Sequence, residues 1–158
     1  MTKLDIYSDK KYELAVKNYL LSDTSHTGSA QSMVERCKMD SEKFPIVILN
    51  DENKLVGCFI LDIGLGPRQY GFLDGDVALL RAFSIDDRFR RQGYASTALD
   101  KLSNFVHQYI SNNLSRIVLA VNEENIAAQK TYEKSGFKKT LQTSEGKLGL
   151  LFIMEKEI

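Results

Sequence analysis

Residues 85–95 read Ile85-Asp86-Asp87-Arg88-Phe89-Arg90-Arg91-Gln92-Gly93-Tyr94-Ala95, and the reading of this stretch decides the fold. Upstream of it, Val77–Ile85 reads as a strand. Downstream, Ala95, Ala98, Leu99, Leu102, Phe105, Val106, Tyr109 and Ile110 share one face, opposite Asp100, Lys101, Asn104 and Gln108. That spacing predicts a helix from Gly93 to about Asn112. A strand thus turns through a charged loop into a helix N-terminus, whose first amides lack intrahelical partners and point outward with the positive end of the helix dipole. Such a terminus binds a pyrophosphate. Gly93 lets the backbone approach closely, Ala95 keeps the entrance open, and Arg88, Arg90 and Arg91 can add charge-assisted contacts. As a bare six-residue pattern, Arg/Gln-x-x-Gly-x-Gly/Ala fits a solvated basic turn equally well. The Gly-Lys-Ser/Thr ending of a Walker loop and the paired glycines of a Rossmann site are both missing.

The rest of the chain extends the same alternation of elements. Thr2–Tyr7 is a short strand candidate. Ser8 or Asp9 then caps a helix with apolar positions Tyr12, Ala15, Val16, Tyr19 and Leu20. Ser22–Ser29 reads as a polar loop and Ser29–Asp40 as a second helix. Phe44–Leu49 and Leu55–Leu65 are strands across an Asn50–Asn53 turn. Gly64, Gly66, Pro67, Gly71 and Gly75 mark an irregular connection. Arg116–Val121 is a buried-type strand, and Asn125–Lys134 a helix stopped by Gly136. Phe137–Gln142 and Leu148–Glu155 form a hairpin over the turn region Thr143–Lys147. The order β-α-α-β-β-β-α-β-α-β-β predicts one mixed α/β domain over residues 1–158, built on a single sheet.

Composition narrows the function classes. Lys and Arg total 21 and Asp and Glu also total 21, so the basic excess of a nucleic-acid binder is missing. The apolar stretches around Leu55–Leu65 and Leu148–Met154 are too short to span a bilayer. Charges interrupt residues 1–14, which argues against a secretory signal. Cys37 and Cys58 make no disulfide framework and read as reduced thiols in a cytoplasmic protein. Two His and two Cys lack zinc-ligand spacing, so no metal is expected.

A second block follows one helix and one strand later: Val121-Asn122-Glu123-Glu124-Asn125-Ile126-Ala127-Ala128-Gln129-Lys130-Thr131-Tyr132-Glu133-Lys134-Ser135-Gly136-Phe137. Together with Leu79–Ile85 and Arg90-x-x-Gly93-x-Ala95, it resembles the paired motifs of the GNAT superfamily of N-acetyltransferases. The resemblance covers about residues 77–140; the N-terminal half matches only in element order. It implies a mostly antiparallel central sheet with flanking helices, the GNAT-like acyl-CoA N-acyltransferase fold. It also implies acetyl-CoA as cosubstrate, lying in a V-shaped opening between the fourth and fifth strands. Its pantetheine arm would run beside Phe83, Ser84 and Ile85. Its pyrophosphate would meet Arg90, Arg91, Gln92, Gly93, Tyr94, Ala95 and Ser96. Asn125 and the small Ala128 match the motif's pantetheine region, and Tyr132 the position beside the thioester sulfur.

Tyr132 is the catalytic candidate, because a phenol has a proton to give to a departing thiolate. By spacing alone it reads as a packed aromatic sharing a helix face with Ala128. Asn125 is both a helix N-cap and a cofactor contact. A protonated amine must lose its proton before it attacks. Asp74 and Asp76 are base candidates by chain position but read more readily as a surface turn. His26 reaches substrate by fold analogy, and His107 reads as structural. Asp23, Glu35, Asp40, Asp74 and Asp76 are candidates to line a pocket for a cationic amine such as a polyamine, or else solvated surface.

The expected activity is acetyl transfer from acetyl-CoA to a primary amine of a small molecule, by direct attack in a ternary complex. The alternatives are a protein N-acetyltransferase and a non-catalytic acyl-CoA-binding regulatory module. No nucleic-acid or membrane partner is expected, and the chain is taken as monomer or homodimer.

Overall fold

The computed structural model describes residues 1–158. Its elements are β1 (Lys3–Ile6), α1 (Asp9–Lys17), α2 (Ala30–Lys38), β2 (Lys43–Leu49), β3 (Leu55–Asp62), β4 (Val77–Ile85), α3 (Tyr94–Phe105), β5 (Arg116–Asn122), α4 (Ile126–Lys134), β6 (Lys138–Gly146) and β7 (Gly149–Glu157). This is the order read from the sequence. The strands form one seven-stranded sheet, β1-β2-β3-β4-β5-β7-β6. Every neighbouring pair is antiparallel except β4 and β5, which run parallel. The fold is therefore the mixed, mostly antiparallel α/β architecture expected.

The sheet is apolar on both faces, so it needs a layer on each side. On one face, Ile46, Ile48, Phe59, Leu61, Leu80, Ile117 and Leu119 pack with Ala98, Leu99, Leu102 and Phe105 of α3. On the other, Val47, Leu49, Cys58 and Ile60 pack with Val16 of α1 and Met33, Val34 and Cys37 of α2. Each such buried aliphatic or aromatic side chain contributes about 1.5–3 kcal/mol. Cys37 and Cys58 are unpaired and buried, and burial pushes both thiols up to about 11. No helix is long and apolar enough to cross a membrane.

Four local readings are corrected. Helix α1 stops at Lys17, so Tyr19 and Leu20 lie in the connection that follows; Ser8 sits at its N-cap without a side-chain capping bond. Strand β3 stops at Asp62, whose Oδ1 accepts the Gly64 N–H at 2.9 Å and turns the chain. The long helix is α-helical only to Phe105 and continues as a π turn over Val106–Ile110, closed by Ser111 N–H donating to Val106 O at 2.9 Å. Last, Thr143–Gly146 belongs to β6: Gly146 pairs with Gly149, so the turn is the two residues Lys147 and Leu148. Gly149, at φ 116°, allows that tight reversal.

Candidate active site

The site begins as a defect in the sheet. β4 and β5 pair only from Val77↔Arg116 to Leu80↔Leu119, after which the parallel strands part. The cause lies in β4. Arg81 pairs with Ile60 and Ser84 with Cys58, so Ala82 and Phe83 stand against the single residue Phe59. Ala82 takes φ 57° at this bulge. A bulge bends its strand and increases the local twist. It also shifts the alternation of faces. Leu80 packs into the α3 side of the core, Ala82 against the α1–α2 side, and Phe83 and Ile85 again on the α3 side. Beyond Leu80, one main-chain edge of β4 therefore faces an open cleft.

A cavity of about 1010 Å3 fills this cleft. Phe83, Ser84, Ile85, Arg90, Arg91, Gly93, Tyr94, Ala95, Ser96, Asn125, Ala128 and Tyr132 all line it. Gln92, grouped with them in sequence, is exposed and lies outside the lining. Arg88 is also outside: its Nε donates to Asp86 Oδ1 at 3.0 Å and its NH2 to Asp86 Oδ2 at 2.8 Å. Only Arg90 and Arg91 of the three arginines face the cavity.

The loop into α3 leaves its donors free. Arg91 at φ 62° and Gly93 at φ 82° turn the chain twice within three residues. Thr97 N–H is the first amide of α3 to bond backward, to Gly93 O at 3.0 Å. The N–H groups from Arg90 to Ser96 have no partner within the protein. A run of outward amides at a helix N-terminus, flanked by two arginines, offers the donors and positive charge that an anion needs.

Opposite, α4 carries Tyr132. Asn125 Oδ1 caps the helix by accepting Ala128 N–H at 3.2 Å. Buried Gln129 donates through Nε2 to the carbonyls of Asn122 and Glu123, each at 3.0 Å, which ties α4 to the end of β5. The Tyr132 ring stands edge-on to Phe83 at 6.3 Å and to Phe137 at 5.8 Å. Desolvation in these apolar surroundings pushes its phenol up to about 12, so it holds its proton at neutral pH. Tyr132 is thus packed among aromatic rings, as its helical spacing suggested, and also lines the cavity.

The connection between α1 and α2 closes the near side. Asp86, fully buried, accepts Leu20 N–H at 2.9 Å, and Asp87 Oδ2 accepts Ser22 N–H at 2.7 Å. Tyr19 Oη meets Ser84 Oγ at 2.8 Å. These bonds hold Leu21, Asp23, His26 and Thr27 against the cavity. Sequence reading missed Asp86, although a carboxylate directly after a buried strand and two residues before an arginine is a recognisable local tether. It missed Gln129 too, for which no local signal exists.

A second cavity of about 270 Å3 opens beside the first, sharing His26, Thr27, Phe83, Asn122, Asn125, Ala128 and Tyr132 with it. Of the acidic residues considered for an acceptor pocket, only Asp23 reaches either cavity. Asp76 accepts Ser115 Oγ at the far end of β4, Glu35 and Asp40 pair with Lys38 and Lys43, and Asp74 is exposed. His107 Nε2 meets Leu114 O at 3.0 Å, a structural contact.

Residues 12–137 match the model of the Acetyltransferase (GNAT) family. An uncharacterized N-acetyltransferase of Bacillus subtilis (strain 168), YbbJ, is 30% identical over 132 residues, which span 84% of this chain and 81% of that protein. Among solved structures, the aminoglycoside acetyltransferase AAC(6')-Ib in complex with coenzyme A and kanamycin superposes with a TM-score of 0.79 at 13% identity, over 99% of this chain and 95% of that one. A chimera of the spermidine N-acetyltransferase SpeG from Vibrio cholerae and hSSAT gives 0.73 at 17% identity, with the same coverage. The structural likenesses establish the fold; the match across most of the sequence adds the lineage, and the chain belongs to the GNAT family of acetyltransferases.

Proposed function

We propose that this protein transfers the acetyl group of acetyl-CoA to a primary amine of a small molecule, by direct attack in a ternary complex. One observation carries the reading: the free amides of Arg90–Ser96, the unpaired edge of β4 and Tyr132 all open on one cavity. The residues present fit the cosubstrate. The amides and Arg90 and Arg91 match a pyrophosphate, and the bare edge of β4 offers main-chain groups to an extended amide-bearing arm. The solved relative AAC(6')-Ib with coenzyme A supports the same assignment. When bound, acetyl-CoA supplies an activated thioester carbonyl and a thiolate leaving group.

The chain's own groups then divide the work. A main-chain N–H of Phe83–Ile85 polarises the carbonyl and stabilises an oxyanion. Tyr132 Oη holds a proton for the departing sulfur, in surroundings that keep the phenol neutral. His26, at the junction of the two cavities, is the imidazole positioned to take a proton from the incoming amine, directly or through water. The side cavity supports a small acceptor over a protein chain, which needs an open groove.

The test is thiol release with saturating acetyl-CoA across a panel of amines, read beside mass spectrometry for acetylated products. Enzyme-dependent release with an acetylated amine is the expected result. Calorimetric binding of acetyl-CoA without release from any amine would replace this reading with an acyl-CoA-binding module.

A further inference from the structure

The side cavity carries the chemistry of its occupant. Away from the junction with the main cavity, its polar wall is Arg36 from α2 and Arg81 from β4, with Tyr70 beside them. No Asp or Glu lines it. Arg81 has one ionic partner, buried Asp62, at 3.7 Å, and Asp62 already accepts the Gly64 N–H. That separation is too long for a hydrogen bond. Arg36 has no carboxylate within ion-pair distance; its NH2 donates to Thr27 O at 3.1 Å, and its Nε is buried with no partner. Of the two guanidiniums lining this space, only Arg81 thus has a carboxylate partner, and Arg36 has none.

A buried N–H without an acceptor is costly, and two like charges held together add to the cost. Burial, and then the neighbouring charge of Arg81, hold the Arg36 pKa below the usual arginine range. An arrangement of this kind is relieved by an anion with two acceptor oxygens, because the guanidinium fork matches a carboxylate in two parallel hydrogen bonds. The bulge in β4 is what makes it: with Ala82 and Phe83 both set against Phe59, Arg81 stays on the α2 side of the sheet while Phe83 crosses to the other.

We propose that the acceptor amine carries a carboxylate, which Arg36 and Arg81 bind in the side cavity while the amine reaches the junction at His26 and Tyr132. The occupant is therefore an amino-acid-like molecule. This rests on the acetyl-transfer reading above for the amine but not for the carboxylate. It sets the chain apart from AAC(6')-Ib, solved with kanamycin, and from the spermidine N-acetyltransferase SpeG, since kanamycin and spermidine are both polycations. A cavity of about 270 Å3 suits an occupant of this size.

The test pairs each common α-amino acid with its decarboxylated amine and compares kcat/KM at saturating acetyl-CoA. At least one amino acid should exceed its decarboxylated partner by about 10- to 100-fold, the range for a charge-assisted hydrogen-bonded pair. Arg36→Gln should bring that ratio down toward one through KM, and Arg36→Lys should restore part of it. A binding arm runs in parallel: calorimetry of the N-acetyl amino acids and matched N-acetyl amines, with coenzyme A present, for wild type and Arg36→Gln. Tighter binding of the carboxylate-bearing ligand to wild type, lost in the variant, supports the site even if no amine is acetylated; that absence of turnover would count against the acetyl-transfer reading alone. Equal use of the members of every pair, or preference for the decarboxylated amines or for spermidine, overturns the proposal. So does equal calorimetric binding of both ligand sets to wild type.

Discussion

The buried carboxylate of Asp86 accepts the main-chain N–H of Leu20 at 2.9 Å, across a sequence separation that joins the end of β4 to the connection after α1. The same carboxylate holds Arg88 through both oxygens and accepts the Arg88 N–H at 2.9 Å. One side chain therefore sets the start of the loop into α3 and the wall that carries His26.

Asp86→Ala should lower stability by about 2–3 kcal/mol, since it removes several hydrogen bonds to a buried charge. Burial alone would raise the pKa of Asp86; the Arg88 side chain and the Leu20 and Arg88 amides outweigh it and hold the pKa below the ordinary aspartate value. A depressed folded-state pKa gives a contribution that is complete above the unfolded value near 3.9 and lost as pH falls through the folded one. The gap between wild type and Asp86→Asn in denaturant midpoints should accordingly be constant from pH 5 upward and close below about pH 4. A gap that persists unchanged at pH 2 would assign the stabilisation to shape rather than charge.

Tyr132→Phe keeps the ring between Phe83 and Phe137 and deletes only the hydroxyl. Turnover should fall by about 10²- to 10⁴-fold, with acetyl-CoA affinity retained by calorimetry. Because desolvation lifts this phenol to about 12, the wild-type rate should show no falling limb at pH 10, where an ordinary tyrosine ionises. Unchanged turnover in the variant would remove Tyr132 from the proton-donor role.

Gly93 holds φ 82°, and a Cβ built there meets nothing within 4 Å. The cost of Gly93→Ala is therefore backbone conformation, about 1–2 kcal/mol for a left-handed L-residue. Because the turn aims the free amides of residues 90–96, the variant should bind acetyl-CoA more weakly by roughly tenfold, with the Tyr132 environment intact. Calorimetry beside near-ultraviolet circular dichroism checks both parts, and unaltered affinity would detach those amides from the pyrophosphate.

His26→Gln keeps a polar side chain at the junction of the cavities but removes the titratable base. We expect kcat to fall by about 10²-fold or more while binding of acetyl-CoA is preserved. If a full-activity variant results, the acceptor's proton leaves by another route.

Much of this was legible from residue order. Val77–Ile85 was read to its ends because strand, loop and helix change periodicity sharply there, and Asn125 and Gly136 mark α4 by local capping chemistry. Readings failed where non-local pairing overrides local preference. Thr143–Gly146 resembles a turn, yet β7 extends its ladder into it. Tyr19 and Leu20 continue a helical spacing, yet Asp86 and Ser84 draw them out of the helix.

By itself the sequence determined the α/β order, the helix that begins at the Gly93 turn, and the likeness of two motifs to one acetyltransferase family, because each is written in contiguous residues. Tertiary structure alone decided that Asp74 and Asp76 stand away from the cavity and that Arg36 and Arg81 come together on the wall of one side cavity. Those outcomes hang on the Ala82 bulge and on bonds between residues far apart in the chain, where side-chain direction is set by packing partners and not by neighbours in sequence.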